Sequence, residues 1–172
     1  MLGYGMYYNI VKGVETDLYA RAYVVEDGTT GRKIVFVNAE IAFITVAVKR
    51  GVIKKLERKY PELGFTDDNV FLSAQHTHSA PGGYSHYGLY NMAVPGFVPE
   101  VYQVVVEGMV EAIVAAEANK KPGKIKLGGS SFALDKEVAF NRSVKAFNRN
   151  PEVKEEIPEA VSYTHLTLPT KA

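Results

Sequence analysis

The 172-residue chain contains no cysteine. Disulfides, thiolate zinc sites and a cysteine nucleophile are thereby excluded. The compartment stays open, because many exported bacterial proteins also lack cysteine. An excess of either charge is missing too: 20 Lys and Arg stand against 19 Asp and Glu, a net charge of +1. A chain so balanced carries no basic footprint for nucleic acid. No apolar run approaches the roughly 20 residues of a membrane-spanning helix. The opening MLGYGMYYN shows no basic region followed by an apolar one, so no secretory leader is visible. Gly3-Tyr4-Gly5 opens as a loop with nothing ahead to tie it down, and a preceding element is expected. What remains is an ordinary globular composition, 47% hydrophobic and 23% charged, long enough for one domain with a real core.

Residues 18–25 (LYARAYVV) are rich in β-branched and aromatic side chains and predict a strand. Asp27-Gly28 and Thr30-Gly31 mark a turn. Residues 33–37 (KIVFV) predict its hairpin partner, nearly all apolar, as in a sheet covered on both faces. Residues 46–60 predict a helix with Val48, Val52, Ile53 and Leu56 on one stripe and basic groups opposite, ended by Pro61 and Gly64. Residues 70–74 predict a central strand. Residues 80–98 form a long loop rich in Gly, Pro and aromatic side chains, a type that is commonly functional. Residues 99–119 predict a second helix with Pro in its first turn. Strands are expected at 124–134 and 138–143. The order β-β-α-β-α-β-β predicts an α/β fold, a mixed sheet sandwiched with helices in an incomplete domain.

Three of the four histidines (His76, His78, His86) fall within eleven residues. His76 and His78 follow the apolar strand at i and i+2, so strand alternation would point them the same way at a strand end. Imidazole binds zinc at about 2.0–2.1 Å, but a catalytic zinc ordinarily takes three protein ligands and a water. Two histidines do not complete such a site, and a pair satisfied by loop backbone stays open beside the metal reading. Arg142, in NRS, suits an anion or a developing oxyanion, or else a surface salt bridge. Glu40 at the end of VFVNAE could orient a metal-bound histidine, or be a solvated acid. Gly82-Gly83 and Gly128-Gly129 lack the context of a phosphate loop and are read as turns. Tyr4, Tyr84, Tyr87 and Tyr90 could line an apolar pocket or simply pack locally. The basic face of the first helix could touch anionic headgroups or be merely solvated.

Residues 161–172 (VSYTHLTLPTKA) continue neither helical nor strand periodicity. The string resembles the translation of a transposon-end sequencing adapter. On that reading natural sequence stops near Ala160, the chain is a fragment, and His165 carries no chemistry.

The combination of GYG (3–5), LYARAYVV (18–25), VFVNAE (35–40), NVFLSAQHTHSAPGGYSHY (69–87), NRS (141–143) and Asn150-Pro151 closely resembles the neutral/alkaline, non-lysosomal ceramidases. The similarity runs from Leu2 to about Pro151, and LSxxHTHSxPGGY is its specific part. It implies that residues 1–160 are part of a ceramidase-like catalytic domain; the adapter resemblance makes 161–172 a non-native tail. The family resemblance also implies a zinc amidase that cleaves the N-acyl bond of ceramide, or a related N-acyl lipid, to sphingosine and a fatty acid. By that resemblance His76 ligates Zn2+, while His78 and Arg142 lie beside the reacting amide as catalytic and substrate-binding residues. The other zinc ligands (a histidine, a glutamate and a tyrosine) and the serine nucleophile would lie further along than this chain reaches. The chain alone is therefore expected to be inactive. The resemblance further implies a secreted, periplasmic or membrane-associated protein with peripheral membrane contact and no transmembrane segment. Gln75, Ala80 and Glu40 stand where the family more often has a small residue or Thr, Gly, and Asp; they leave open a different N-acyl substrate. The competing readings are a zinc hydrolase acting on another amide or ester, and a non-catalytic α/β binding module with structural histidines.

Overall fold

The computed structural model describes residues 2, 5, 6, 8, 10–130, 143–154 and 156. Two compact units divide the chain, residues 1–122 and 123–172. In the first unit, β1 (Ala20–Glu26) and β2 (Lys33–Ala39) form the expected hairpin. Asp27 closes its turn by accepting hydrogen bonds from the Thr29 N–H and the Thr30 hydroxyl. Helix α1 (Val46–Lys59) then leads to β3 (Val70–Ala74), and helix α2 (Pro99–Ala118) follows the long loop. The sheet order is β1-β2-β3, with β1 antiparallel and β3 parallel to β2. This is the mixed sheet of an α/β fold.

Each helix starts where its sequence dictates. Thr45 precedes α1 with extended backbone, and its Oγ1 accepts the Val48 N–H at 3.1 Å, satisfying a donor that the first turn leaves orphaned. Arg58 and Lys59 occupy the last turn, where the helix dipole favours cations. Pro99 opens α2, where its missing N–H costs nothing.

The core lies on one face of the sheet. Val35, Val37 and Ala39 of β2 and Val70 of β3 are buried there with Val48, Val52 and Leu56 of α1 and Val106, Met109 and Ile113 of α2. On β1 the small side chains Ala20 and Ala22 pack against this cluster, and α2 crosses that strand. The opposite face differs from the expectation for KIVFV. Tyr23, Phe36 and Phe71 form one cross-strand row, and all three are exposed. The alternation of strand side chains sends half of an all-apolar strand outward whether or not anything covers it. At the far end of α2, Glu117 accepts hydrogen bonds from Lys33 and Lys120, each at 2.7 Å. Burial opposes its charge, yet these two ammonium donors outweigh it and hold the carboxylate below its usual range.

In the second unit, residues 124–130 carry no strand, contrary to expectation. Ile125 and Leu127 show the right alternation but stand exposed at 84% and 101%, and no ladder partner for them is found among the described residues. Period-two patterning without a neighbouring strand leaves the backbone groups to water. Residues 131–142 lie outside the described residues, and with them most of the strand expected at 138–143. Ser143 instead caps a short helix, α3 (Val144–Asn148). Residues 157–172 also lie outside the described residues.

The α1–α2 contact depends on one missing Cβ. A methyl group at Gly51 would sit 2.3 Å from the Tyr102 Oη and 3.0 Å from a Val106 methyl. That hydroxyl donates to the Ala47 carbonyl at 3.0 Å, so it is not free to retreat. Helix propensity alone would make Gly51→Ala stabilising by about 1 kcal/mol. We expect the reverse, a loss of about 1–3 kcal/mol in urea denaturation, because crowding wins. The loss should shrink in a Tyr102→Phe background, and a stabilising Gly51→Ala would contradict this packing.

Candidate metal centre and active site

Parallel pairing of β2 with β3 sets Ala39 opposite Ala74, so both strands deliver their C-terminal ends to one place. In open α/β sheets that end is where ligands bind. Beyond the strands the two segments stay zipped. The Gln75 N–H donates to the Ala39 carbonyl at 2.9 Å, and the His76 N–H donates to the Ile41 carbonyl at 3.1 Å. The His76 side chain continues the series: its Nδ1–H donates to the Ala42 carbonyl at 2.6 Å.

This changes the expected origin of the histidine pair. The strand ends at Ala74, and His76 has φ of 65°, in the left-handed region that non-glycine residues seldom adopt. The two imidazoles do meet, but through this turn rather than through strand alternation. Their Nε2 atoms lie 3.3 Å apart, with ring planes at 72°. With Nδ1 protonated toward Ala42, the His76 Nε2 carries the lone pair, and the His78 Nε2–H donates to it.

The Ala42 carbonyl is itself held in place. Tyr84 is fully buried, and its hydroxyl accepts the Phe43 N–H at 3.2 Å while donating to the Phe43 carbonyl at 3.0 Å. Burial pushes the phenol above its ordinary value despite these backbone bonds, so it stays protonated and able to donate. The Phe43 ring packs in tilted contact with Tyr84, centroids 5.6 Å apart, and with Tyr90, 4.7 Å apart. Tyr84 therefore packs and latches rather than lining an open pocket. Tyr4 lies outside the described residues.

The long loop leaves and re-enters the body at one point. The Val98 N–H donates to the Gly83 carbonyl at 2.7 Å, so residues 83–98 make a closed excursion containing a 3-10 turn, Gly88–Asn91. Gly83 has φ of 94°, and a Cβ there would approach a Val98 methyl to 2.9 Å. Only glycine fits this neck.

Glu40 does not serve His76. Its carboxylate accepts from the Arg21 guanidinium at 2.6 Å and from the Tyr19 N–H at 3.0 Å, which together hold it below the usual carboxylate range. The role imagined for it, orienting the histidine, falls to the Ala42 carbonyl. His86 is engaged elsewhere, its ring 4.3 Å from Phe97 and 5.2 Å from Tyr102. Arg142 lies outside the described residues. An apolar cavity of about 370 Å³ lies between α2 and the strand ends, bordered by Leu18, Ile41 and Val105, and neither histidine lines it.

Among the described residues, the hydrogen bonding of His76 is the kind that would suit a metal ligand. A ligating histidine characteristically donates its other ring N–H to a carbonyl or carboxylate, and His76 does so to Ala42. Among the described residues no three His, Asp or Glu side chains are grouped to hold a metal ion. Engaging the His76 Nε2 would also displace the His78 Nε2–H from its acceptor. The pair is thus suited to divided work, one imidazole as ligand and the other as hydrogen-bond donor.

Among the described residues, a mixed three-stranded sheet of an α/β fold carries a histidine pair at the carboxyl ends of its parallel strands. The particular family follows from comparison with known proteins. Residues 1–169 match the family model described as neutral/alkaline non-lysosomal ceramidase, N-terminal. The chain belongs to that family. It is 36% identical over 153 residues to the neutral ceramidase of Pseudomonas aeruginosa, covering 89% of this chain and 22% of that protein. It is 37% identical over 166 residues to a neutral ceramidase of Drosophila pseudoobscura, covering 96% and 22%. The solved structure of a ceramidase complexed with C2 superposes with a TM-score of 0.82 at 36% identity, over 89% of this chain and 23% of that one. The crystal structure of the Pseudomonas aeruginosa neutral ceramidase gives a TM-score of 0.76 over 88% and 24%. The chain thus spans under a quarter of the length of these relatives.

The residues that sequence reasoning misses here are Ala42 and, as a latch, Tyr84. A carbonyl has no side-chain signature, and a tyrosine just past PGG reads equally as pocket lining or as local packing.

The left-handed backbone at His76 yields a test. Alanine ordinarily outranks glycine in stability because it restricts the unfolded chain. At φ of 65° the steric cost of a Cβ, about 1–2 kcal/mol, opposes that. We expect His76→Gly to equal or exceed His76→Ala in stability, by up to about 1 kcal/mol in urea denaturation. A clear advantage for alanine would contradict the left-handed turn.

Proposed function

We propose that the protein to which this chain belongs hydrolyses the N-acyl amide bond of ceramide, giving sphingosine and a fatty acid, with zinc as cofactor. One observation carries the reading. In a chain of the neutral ceramidase family, the His76 Nδ1–H is spent on the Ala42 carbonyl, which leaves its Nε2 lone pair at the mouth of the strand ends.

His76 would hold the metal through Nε2. When bound, zinc supplies Lewis-acid polarisation of the amide carbonyl and activation of the attacking hydroxyl. The chain's own groups do the rest of what is available here. Ala42 selects the tautomer of His76 and fixes its ring. The His78 Nε2–H, which meets the His76 Nε2 at 3.3 Å, would be released from that acceptor and could donate to another close by. An oxygen gaining charge on the amide carbonyl is such an acceptor. Arg142 would add a guanidinium to that oxygen, a role that rests on the family resemblance alone. By the same resemblance, the serine nucleophile and the other ligands belong to the remainder of the protein.

The 172-residue chain by itself is proposed to be inactive, since one imidazole falls well short of the three protein ligands of a catalytic zinc. We also propose that the whole protein acts outside the cytoplasm or at a membrane. Among the described residues no helix is long and apolar enough to cross one. Gln75, Ala80 and Glu40, which depart from the family's usual residues, leave open a second reading of the same site, cleavage of another amide or ester.

In the full-length protein, His76→Ala is expected to abolish both zinc content and ceramide cleavage. His78→Ala should keep zinc and lower kcat by about 10²–10³. Retained zinc stoichiometry in His76→Ala would remove that residue from the metal site. Dialysed against zinc, the isolated chain should retain well under one equivalent; a full equivalent would mean that further ligands lie within it.

A further inference from the structure

Helix α1 carries six basic residues and a single acid, Glu57. Two of the six are paired: Lys49 with Asp67 at 3.0 Å, and Lys55 with Glu107. Arg50, Lys54 and Arg58 have no carboxylate partner among the described residues. Spaced at i, i+4 and i+8, these three form one row about 12 Å long. The row walls two adjoining hollows of about 370 and 160 Å³, which share Gly51, Lys54 and Tyr102. Glu57 is the one acid of the helix beside this row, which stays net cationic; bordered by the Tyr87 and Tyr102 rings, it is shaped for anionic groups.

The long loop borders the larger hollow through His86 and Tyr87. Tyr87 lines the larger hollow with Arg50 and Lys54, and it immediately precedes the 3-10 turn Gly88–Asn91. On and just after that turn, Leu89 is 69% exposed and Met92 is 75% exposed. Exposed apolar side chains at a loop tip beside a basic row are the composition of an interfacial membrane contact. A soluble anion would make use of the row but not of Leu89 and Met92.

We propose that this face docks the protein onto an anionic bilayer. The Arg50, Lys54 and Arg58 row meets lipid phosphates, while Leu89 and Met92 enter the boundary between headgroups and acyl chains. Tyr90, on the same turn, packs in tilted contact with Phe43, the residue after Ala42, whose carbonyl holds His76. Docking here would bring the histidine pair close to the lipid surface. The inference concerns binding alone and stands whether or not the protein cleaves an amide.

Vesicle co-flotation of the 172-residue chain, without zinc, reads it directly. Binding is expected to vesicles of phosphatidylcholine with phosphatidylglycerol, to weaken as salt rises, and to be weak on phosphatidylcholine alone. Each basic residue of the row should be worth on the order of fivefold, so Arg50→Ala/Lys54→Ala/Arg58→Ala should lose on the order of a hundredfold. The same charge removed at Lys121, Lys124 and Lys126 should leave binding largely unchanged. Leu89→Ser/Met92→Ser should lose about tenfold. Circular dichroism checks that these surface variants keep the fold. Equal binding to neutral vesicles, or an unaffected triple variant, would overturn the docking face. Loss in the triple variant with none in Leu89→Ser/Met92→Ser would overturn insertion and leave only adsorption of anions.

Discussion

The parallel pairing of β2 with β3 is the constraint on which the rest of the site depends. It sets Ala39 beside Ala74 and so brings residues 39–42 alongside residues 74–76. Three further hydrogen bonds then extend the ladder past the strands, and the last of them is made by the His76 imidazole itself. The ring is in effect the final rung of the sheet. Its orientation is inherited from the most rigid part of the unit, where Val35, Val37 and Val70 are fully buried. A side chain so placed needs little reorganisation to act, which is what a metal ligand or a polarising group requires.

Around that rung the loops act as clamps. Tyr84 binds both backbone groups of Phe43, and Gly83 closes the neck of the long loop against Val98. The PGGY portion of the family string therefore serves the histidines structurally. Gly83 allows the close approach to Val98, and Tyr84 latches the segment that carries the Ala42 carbonyl. Left-handed backbone at His76 belongs to the same design, because the turn swings its ring off the strand and back over the neighbouring segment. It costs free energy that the surrounding hydrogen bonds offset.

Much of this was legible in the sequence. Helices α1 and α2 announce themselves through apolar residues spaced at three and four and, for α2, a proline at the first turn. The hairpin follows from β-branched runs around Asp27-Gly28. The histidine pair stands out because two imidazoles follow an apolar strand into glycine and proline. What stays hidden depends on partners distant in the chain. Ala42 contributes only a carbonyl, and Glu40 is taken by Arg21 from across the hairpin. Residues 124–130 show strand alternation, yet alternation cannot supply the neighbouring strand that a ladder needs. The exposed row of Tyr23, Phe36 and Phe71 makes the same point from the other side: apolar patterning states what a face prefers, and packing decides whether it is covered.

The central claim is that the Ala42 carbonyl selects one tautomer of His76. Nitrogen-15 correlation spectra of the imidazoles at about pH 8, where an ordinary histidine is neutral, measure this directly. The expected result is His76 protonated at Nδ1, with Nε2 carrying the lone pair. Predominance of the Nε2–H form would contradict the presentation of His76 as a ligand and, with it, the division of labour between the two histidines.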